Sequence, residues 1–184
     1  WVEFMGRHSK DHLYQRDGYG DWIAPAQSPK PPMAAAYYYH STDLLAKAAA
    51  AIGRTDDARK YADLAGRIAE AFNHAYFDKQ TRQYQGSTQT ANVLPLYFGL
   101  VPPAETAAVV QNVVRDIESR GDHLSTGFQG TAYLMPVLAR YGQQEVAYRL
   151  AVQTTYPSWG YMVKQGATTI WELWDADKRG PEMN

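Results

Sequence analysis

Met33-Ala34-Ala35-Ala36-Tyr37-Tyr38-Tyr39-His40, running on through Leu44 and Leu45 to Ile52-Gly53-Arg54-Thr55-Asp56-Asp57-Ala58 and ending at Phe72, is the stretch from which the fold is read. Its first half is rich in alanine, the best helix former, and Gly53 stands where a glycine closes a helix in the left-handed region. The spacing therefore predicts a helix over 33–52. Thr55 is placed to cap a second helix, with Asp56 and Asp57 at its positive end. Ala58, Tyr61, Ala62, Ala65, Ile68, Ala69 and Phe72 then recur at helical spacing, with Leu64 widening the stripe. A link of two or three residues leaves such a pair only one arrangement, an antiparallel hairpin.

The same pattern recurs further along the chain. Leu134, Val137, Leu138 and Tyr141 lead to Gly142, and Val146, Ala147, Leu150 and Ala151 follow, which predicts a second hairpin. Gln89 to Phe98 reads as a short helix despite Pro95, and Pro102-Pro103 is expected to open another with Val109, Val110, Val113, Val114 and Ile117 on its apolar side. About six helices result, an all-α fold. Tyr161–Val163 and Thr168–Trp174 are aromatic and β-branched around Gly166, and read as a short strand pair or extended loop near the C-terminus. Before the first hairpin, Asp17-Gly18-Tyr19-Gly20-Asp21-Trp22 forms a loop, followed by a segment with Pro25, Pro29, Pro31 and Pro32 that is expected to be non-helical. The segments after Gly53 and Gly142 look alike, but their spacing matches no solenoid repeat.

Composition narrows the function classes. The 184 residues suffice for one domain, or one piece of a larger one, and 45% hydrophobic with 20% charged residues is the balance of a chain that folds in water. A net charge of -1 with no basic cluster argues against nucleic acid, and no apolar run reaches the length of a membrane span. The absence of cysteine excludes disulfides and thiolate sites but leaves the compartment open. His8 and His12 are spaced for one helix face without a third ligand nearby, so neither a metal nor another cofactor is expected. The chain starts at Trp1 rather than Met, which suggests that something precedes it.

Carboxylates and aromatics are what remains for chemistry. In Gly166-Ala167-Thr168-Thr169-Ile170-Trp171-Glu172-Leu173-Trp174-Asp175 one carboxylate lies between two tryptophans outside any helical stripe. If extended, the segment sends Ile170, Glu172 and Trp174 to one face, and a carboxylate in so dry a setting holds protons more tightly, which suits general acid or base work. The alternative is a Glu that caps a loop or pairs with Arg179. Asp21-Trp22, at the tip of a glycine-rich loop, could offer an acceptor and a stacking face to a sugar, while Asp in such loops also serves turn geometry. Trp159, within Tyr156-Pro157-Ser158-Trp159-Gly160, could line the same cleft or plug the core.

Taken in order, Asp17-Gly18-Tyr19-Gly20-Asp21-Trp22, Thr126-Gly127-Phe128, Tyr156-Pro157-Ser158-Trp159-Gly160-Tyr161-Met162 and the Thr168-Thr169-Ile170-Trp171-Glu172 block resemble the bacterial α-L-rhamnosidases of glycoside hydrolase family 78. The resemblance covers essentially the whole chain. It implies an (α/α)6 barrel of helical hairpins, inverting hydrolysis of terminal α-L-rhamnosyl residues, and a sugar pocket at the loop end of the barrel. It also implies that Glu172 is the general base and that Trp22 lines the rhamnose pocket, with Asp21 and Trp159 in cleft-facing motifs. Two departures matter. The family's Asp-Glu-Arg-x-Gly-Trp-x-Gly-Asp-like segment, which carries the general acid, is absent, and so is a later pocket histidine; the chain ends at Pro181-Glu182-Met183-Asn184.

The expectation is therefore that residues 1–184 are the C-terminal portion of a catalytic barrel. Its partners would be a rhamnose-containing glycoside or polysaccharide and the remainder of its own catalytic domain, and on its own the chain would be inactive. Two rivals stand beside this reading: another (α/α)6 glycosidase with a different sugar, and a non-catalytic helical-hairpin module that binds a partner on its aromatic face.

Overall fold

A computed structural model describes residues 1–16 and 18–179. Asp17, the first residue of the Gly-Asp-Trp loop motif, and the terminal residues 180–184 lie outside the described residues. The order of elements is α1 (Val2–Arg7), β1 (Ser9–Lys10), β2 (Leu13–Tyr14), α2 (Lys30–Ala51), α3 (Thr55–Tyr76), β3 (Phe77–Asp78), β4 (Gln83–Tyr84), α4 (Gln89–Phe98), α5 (Thr106–Ser119), α6 (Phe128–Arg140), α7 (Gln144–Ala151), α8 (Trp159–Lys164) and α9 (Ala176–Arg179). The strands form two minimal antiparallel ribbons, β1 with β2 and β3 with β4. Six helices of eight residues or more, α2 to α7, carry the fold.

The two hairpins read from the sequence are α2/α3 and α6/α7, turned by Gly53 and Gly142 at φ 76° and 74°. Such positive φ values are reached by glycine at little steric cost. α2 begins earlier than the sequence suggests. Lys30 is its first residue and Pro31 and Pro32 lie in its first turn, where the missing N–H has no intrahelical partner to lose. Thr55 is the first helical residue of α3 rather than its cap, a position taken by Arg54 without a side-chain bond, while Asp56 and Asp57 do occupy the first turn.

α4 is the centre of the core. Nine of its ten residues are buried, as expected for a helix packed on all sides, here by α2, α5 and α6. Its polar first turn is satisfied internally: Thr88 caps Ala91 N at 3.1 Å, and Asn92 Oδ1 accepts from Tyr84 N at 3.0 Å. Pro95 is accommodated one turn from the end, where Gly99, at φ 79°, closes the helix by donating to the Pro95 carbonyl. α5 buries Val109, Val110, Val113, Val114 and Ile117, each such side chain contributing about 1.5–3 kcal/mol relative to exposure. Pro102-Pro103 do not open this helix; they precede it by a turn.

Of the strand pair or extended loop expected near the C-terminus, no strand forms among the described residues. Tyr161–Val163 belong to α8, because the Ser158 side chain accepts from Tyr161 N at 3.0 Å and starts a helix that outweighs the local β preference. Thr168–Trp174 is an irregular loop, and its burial does not alternate: Leu173 and Trp174 are consecutive and both buried, while Ile170 is 76% exposed.

Candidate active-site cleft

Two loops and the starts of two helices build an aromatic cleft. The loop before α2 supplies Trp22 and Ile23, α6 supplies Phe128 and Thr131 at its N-terminal end, and the 166–175 loop supplies Ile170, Trp171, Glu172 and Trp174; Trp159, first residue of α8, completes the wall. The cavity is about 680 Å³, within the range of small-molecule pockets. Glu172 is the one ionisable side chain that lines it among the described residues. Another cleft, about 440 Å³, lies by α1, where Glu3 and Lys60 neutralise each other at 2.7 Å, leaving that carboxylate occupied.

Glu172 is exposed rather than enclosed in a dry setting. Its Oε1 accepts a hydrogen bond of 2.9 Å from the Trp22 indole Nε1, and among the described residues Oε2 has no hydrogen-bond partner. Arg179, the ion-pair alternative, is instead engaged by Asp175 at 3.2 Å. Trp22 is 48% exposed and presents its ring to the cleft, with Tyr19 edge-on to it at 6.5 Å. Trp159 stacks edge-on against Trp174 at 5.7 Å, so it both lines the cleft and packs onto the core. Trp174 in turn donates its indole N–H to the Thr126 carbonyl at 3.0 Å and anchors the loop that carries Glu172.

Asp21 lies beneath the cleft, not on its wall. It is 1% exposed, and its carboxylate accepts from the backbone N–H groups of Gly127, Gln129 and Gly130 and from the Thr90 hydroxyl. No lone pair is directed at the cavity, so the sugar-binding role considered for it does not fit its surroundings. Its negative charge also reaches Tyr37 of α2, whose hydroxyl is held protonated first by burial, then by the Tyr133 hydroxyl, and least by Asp21.

The sequence put forward Trp22, Trp159 and Glu172 as candidates for one cleft, and all three line one cavity. Phe128, Thr131 and Ile23 were not singled out as site residues. The available signal was the glycine pair Gly127 and Gly130 at the start of α6, which marks a close backbone approach. A Cβ at Gly127 would lie 2.2 Å from the Trp22 carbonyl, and one at Gly130 would lie 2.1 Å from the Thr90 hydroxyl.

Residues 1–184 match the family model described as the bacterial alpha-L-rhamnosidase 6 hairpin glycosidase domain. An alpha-L-rhamnosidase of Streptomyces avermitilis is 44% identical over the whole of this chain, which covers 18% of that protein, and one of Formosa agariphila is 32% identical, with 21% covered. The crystal structure of the Streptomyces avermitilis alpha-L-rhamnosidase complexed with L-rhamnose superposes on the whole chain with a TM-score of 0.92. The structure of the alpha-L-rhamnosidase from Dictyoglumus thermophilum, 37% identical, superposes on 95% of the chain and 21% of its own length with a TM-score of 0.89. The chain thus spans about a fifth of the length of the curated relatives it matches. With its helical hairpins forming part of an (α/α)6 array, the chain belongs to the bacterial alpha-L-rhamnosidase six-hairpin glycosidase domain family.

Proposed function

We propose that this chain contributes the general base and one wall of the sugar pocket to an inverting α-L-rhamnosidase acting on terminal α-L-rhamnosyl residues of a glycoside or polysaccharide. The observation that carries the reading is Glu172, the one carboxylate lining a cleft of tryptophans among the described residues, with Oε1 held by Trp22. The name of the relatives and the L-rhamnose in the Streptomyces avermitilis structure support the choice of sugar.

In this mechanism ionised Glu172 takes a proton through Oε2 from a water as that water attacks the anomeric carbon on the face opposite the leaving group. The aromatic rings of Trp22 and Trp159 cover the apolar faces of the sugar and displace bulk water. Inversion requires an acid about 6.5–9.5 Å from the base, so that the water fits between them. Glu172 is the one carboxylate lining the cleft among the described residues, and the acid is proposed to come from the roughly four fifths of the relatives' length that this chain does not span. None of these steps calls for a cofactor.

The test is the configuration of the first-formed sugar. Proton NMR of a rhamnoside during the earliest turnover by the intact enzyme is expected to show β-L-rhamnose before mutarotation. Initial release of the α-anomer, or no release of rhamnose from any rhamnoside, would overturn the proposal.

A further inference from the structure

Asp21 has no step in the chemistry above, yet its carboxylate is among the most fully engaged polar groups in the molecule. Oδ1 accepts from Gln129 N and Gly130 N, both at 3.0 Å, and Oδ2 accepts from Gly127 N at 2.8 Å and from the Thr90 hydroxyl. These backbone donors are the orphan N–H groups at the start of α6, which local capping residues ordinarily satisfy. Here the N-cap is Gly127, which has no side chain to offer, and the cap arrives from a residue 106 positions earlier in the chain.

A local Ser or Asp at position 127 would cap the helix equally well, but its Cβ would collide with the Trp22 carbonyl at 2.2 Å and with Ala24 N at 2.7 Å. Giving up the local cap lets the loop sit directly on the helix end. Phe128 N also donates to the Trp22 carbonyl at 2.9 Å, so the backbone of Trp22 is held on both sides. From the other direction, Trp174 hangs the Glu172 loop on the carbonyl of Thr126, the residue just before Gly127. One short segment, 126–130, therefore sets the positions of both loops, and the two side chains they carry meet at 2.9 Å.

We infer that Asp21 is a positioning residue for this site: by clamping its loop to the start of α6 it places the Trp22 indole N–H that holds Glu172 Oε1 and so aims Oε2 at the attacking water. A helix cap with no further role would stabilise α6 without affecting the orientation of Glu172. The inference rests on the proposed role of Glu172, and the experiment separates the two.

The measurement is a kinetic double-mutant cycle in the intact enzyme with Asp21→Asn and Trp22→Phe. Asn replaces one acceptor oxygen by an NH2 facing donors, and misplacing a catalytic group by about an ångström costs on the order of 10²-fold. Asp21→Asn is expected to lower kcat by roughly that factor while KM changes much less. In the Trp22→Phe background, where there is no indole N–H left to position, the same substitution should cost no more than about twofold. If Asp21→Asn does not fold, Thr90→Val removes a single donor from Oδ2 in an isosteric way, and a kcat loss of severalfold, again suppressed by Trp22→Phe, is expected. Additive losses, an unchanged kcat, or losses that track only thermal stability overturn the inference. Glu172→Gln measured alongside distinguishes the failures: if that variant stays active, the reading of the site has failed, and if it is inactive while the cycle is additive, only the role of Asp21 has.

Discussion

The indole nitrogen of Trp22 donates a 2.9 Å hydrogen bond to Oε1 of Glu172 across 150 positions of sequence. An indole N–H can only donate, so the bond engages Oε1 and restricts which oxygen faces the cavity. The same tryptophan thus offers its face to a sugar and its edge to the base. The two functions can be separated by substitution.

Glu172→Gln keeps the shape of the side chain but cannot accept the proton of a water. Because a positioned base contributes about 100-fold or more, turnover should fall by at least that factor while substrate still binds. Steady-state kinetics of the intact enzyme with a rhamnoside decide it. Retention of more than about a tenth of the turnover would sink the assignment.

Trp22→Ala removes both face and edge, and rhamnose binding should weaken by about 1–3 kcal/mol, the scale of losing a stacked aromatic. Trp22→Phe keeps a face and deletes the N–H, so KM should stay closer to wild type while kcat falls. Calorimetric titration with rhamnose and kinetics on both variants provide the comparison. The ring is 48% exposed, so the thermal midpoint should move little; a stability loss equal to the binding loss would instead mark it as a core residue.

Gln89 is 0% exposed and ties three segments together. Its Nε2 donates to Asp116 Oδ2 at 2.8 Å and to the His123 carbonyl at 3.1 Å, and its Oε1 accepts from Ser125 N at 2.8 Å. Gln89→Leu preserves volume and leaves the His123 carbonyl and Ser125 N without this partner, while Asp116 keeps Arg120 at 2.8 Å, and should destabilise the domain by about 2–4 kcal/mol. Denaturant unfolding measures this. A change below about 1 kcal/mol would mean that water replaces the lost partners.

His40 lies flat against Phe98 at 4.1 Å with 10° between the rings. Burial pushes its pKa below the usual value of 6.5, with Asp43 partly opposing. As pH falls through 6.5 the unfolded chain takes up a proton that the folded chain resists, so stability is lost on acidification and levels off once the folded form is protonated as well. The thermal midpoint should therefore drop between about pH 7.5 and 5.5, and His40→Gln should reduce that drop. An identical drop in the variant would show that other groups carry it.

What the sequence by itself determined is the six long helices α2 to α7 and most of their inward faces, but not α1, α8, α9 or the two ribbons. The stripe of α5 from Val109 to Ile117 and the turns at Gly53 and Gly142 follow from spacing within a few turns, because the 3.6-residue period and the positive φ of glycine are local properties. Local preference failed where a single capping bond outweighs it: Ser158 turns the β-branched and aromatic Tyr161–Val163 into α8, and first-turn tolerance lets α2 begin ahead of Pro31 and Pro32. Only the tertiary structure decided which loops meet. Nothing near Asp21 in the chain shows that it caps a helix more than a hundred residues later, or that the edge of Trp22 reaches Glu172. Those contacts depend on packed helices bringing distant loop ends together and on the missing Cβ at Gly127 that lets two backbones touch, and no local period records either.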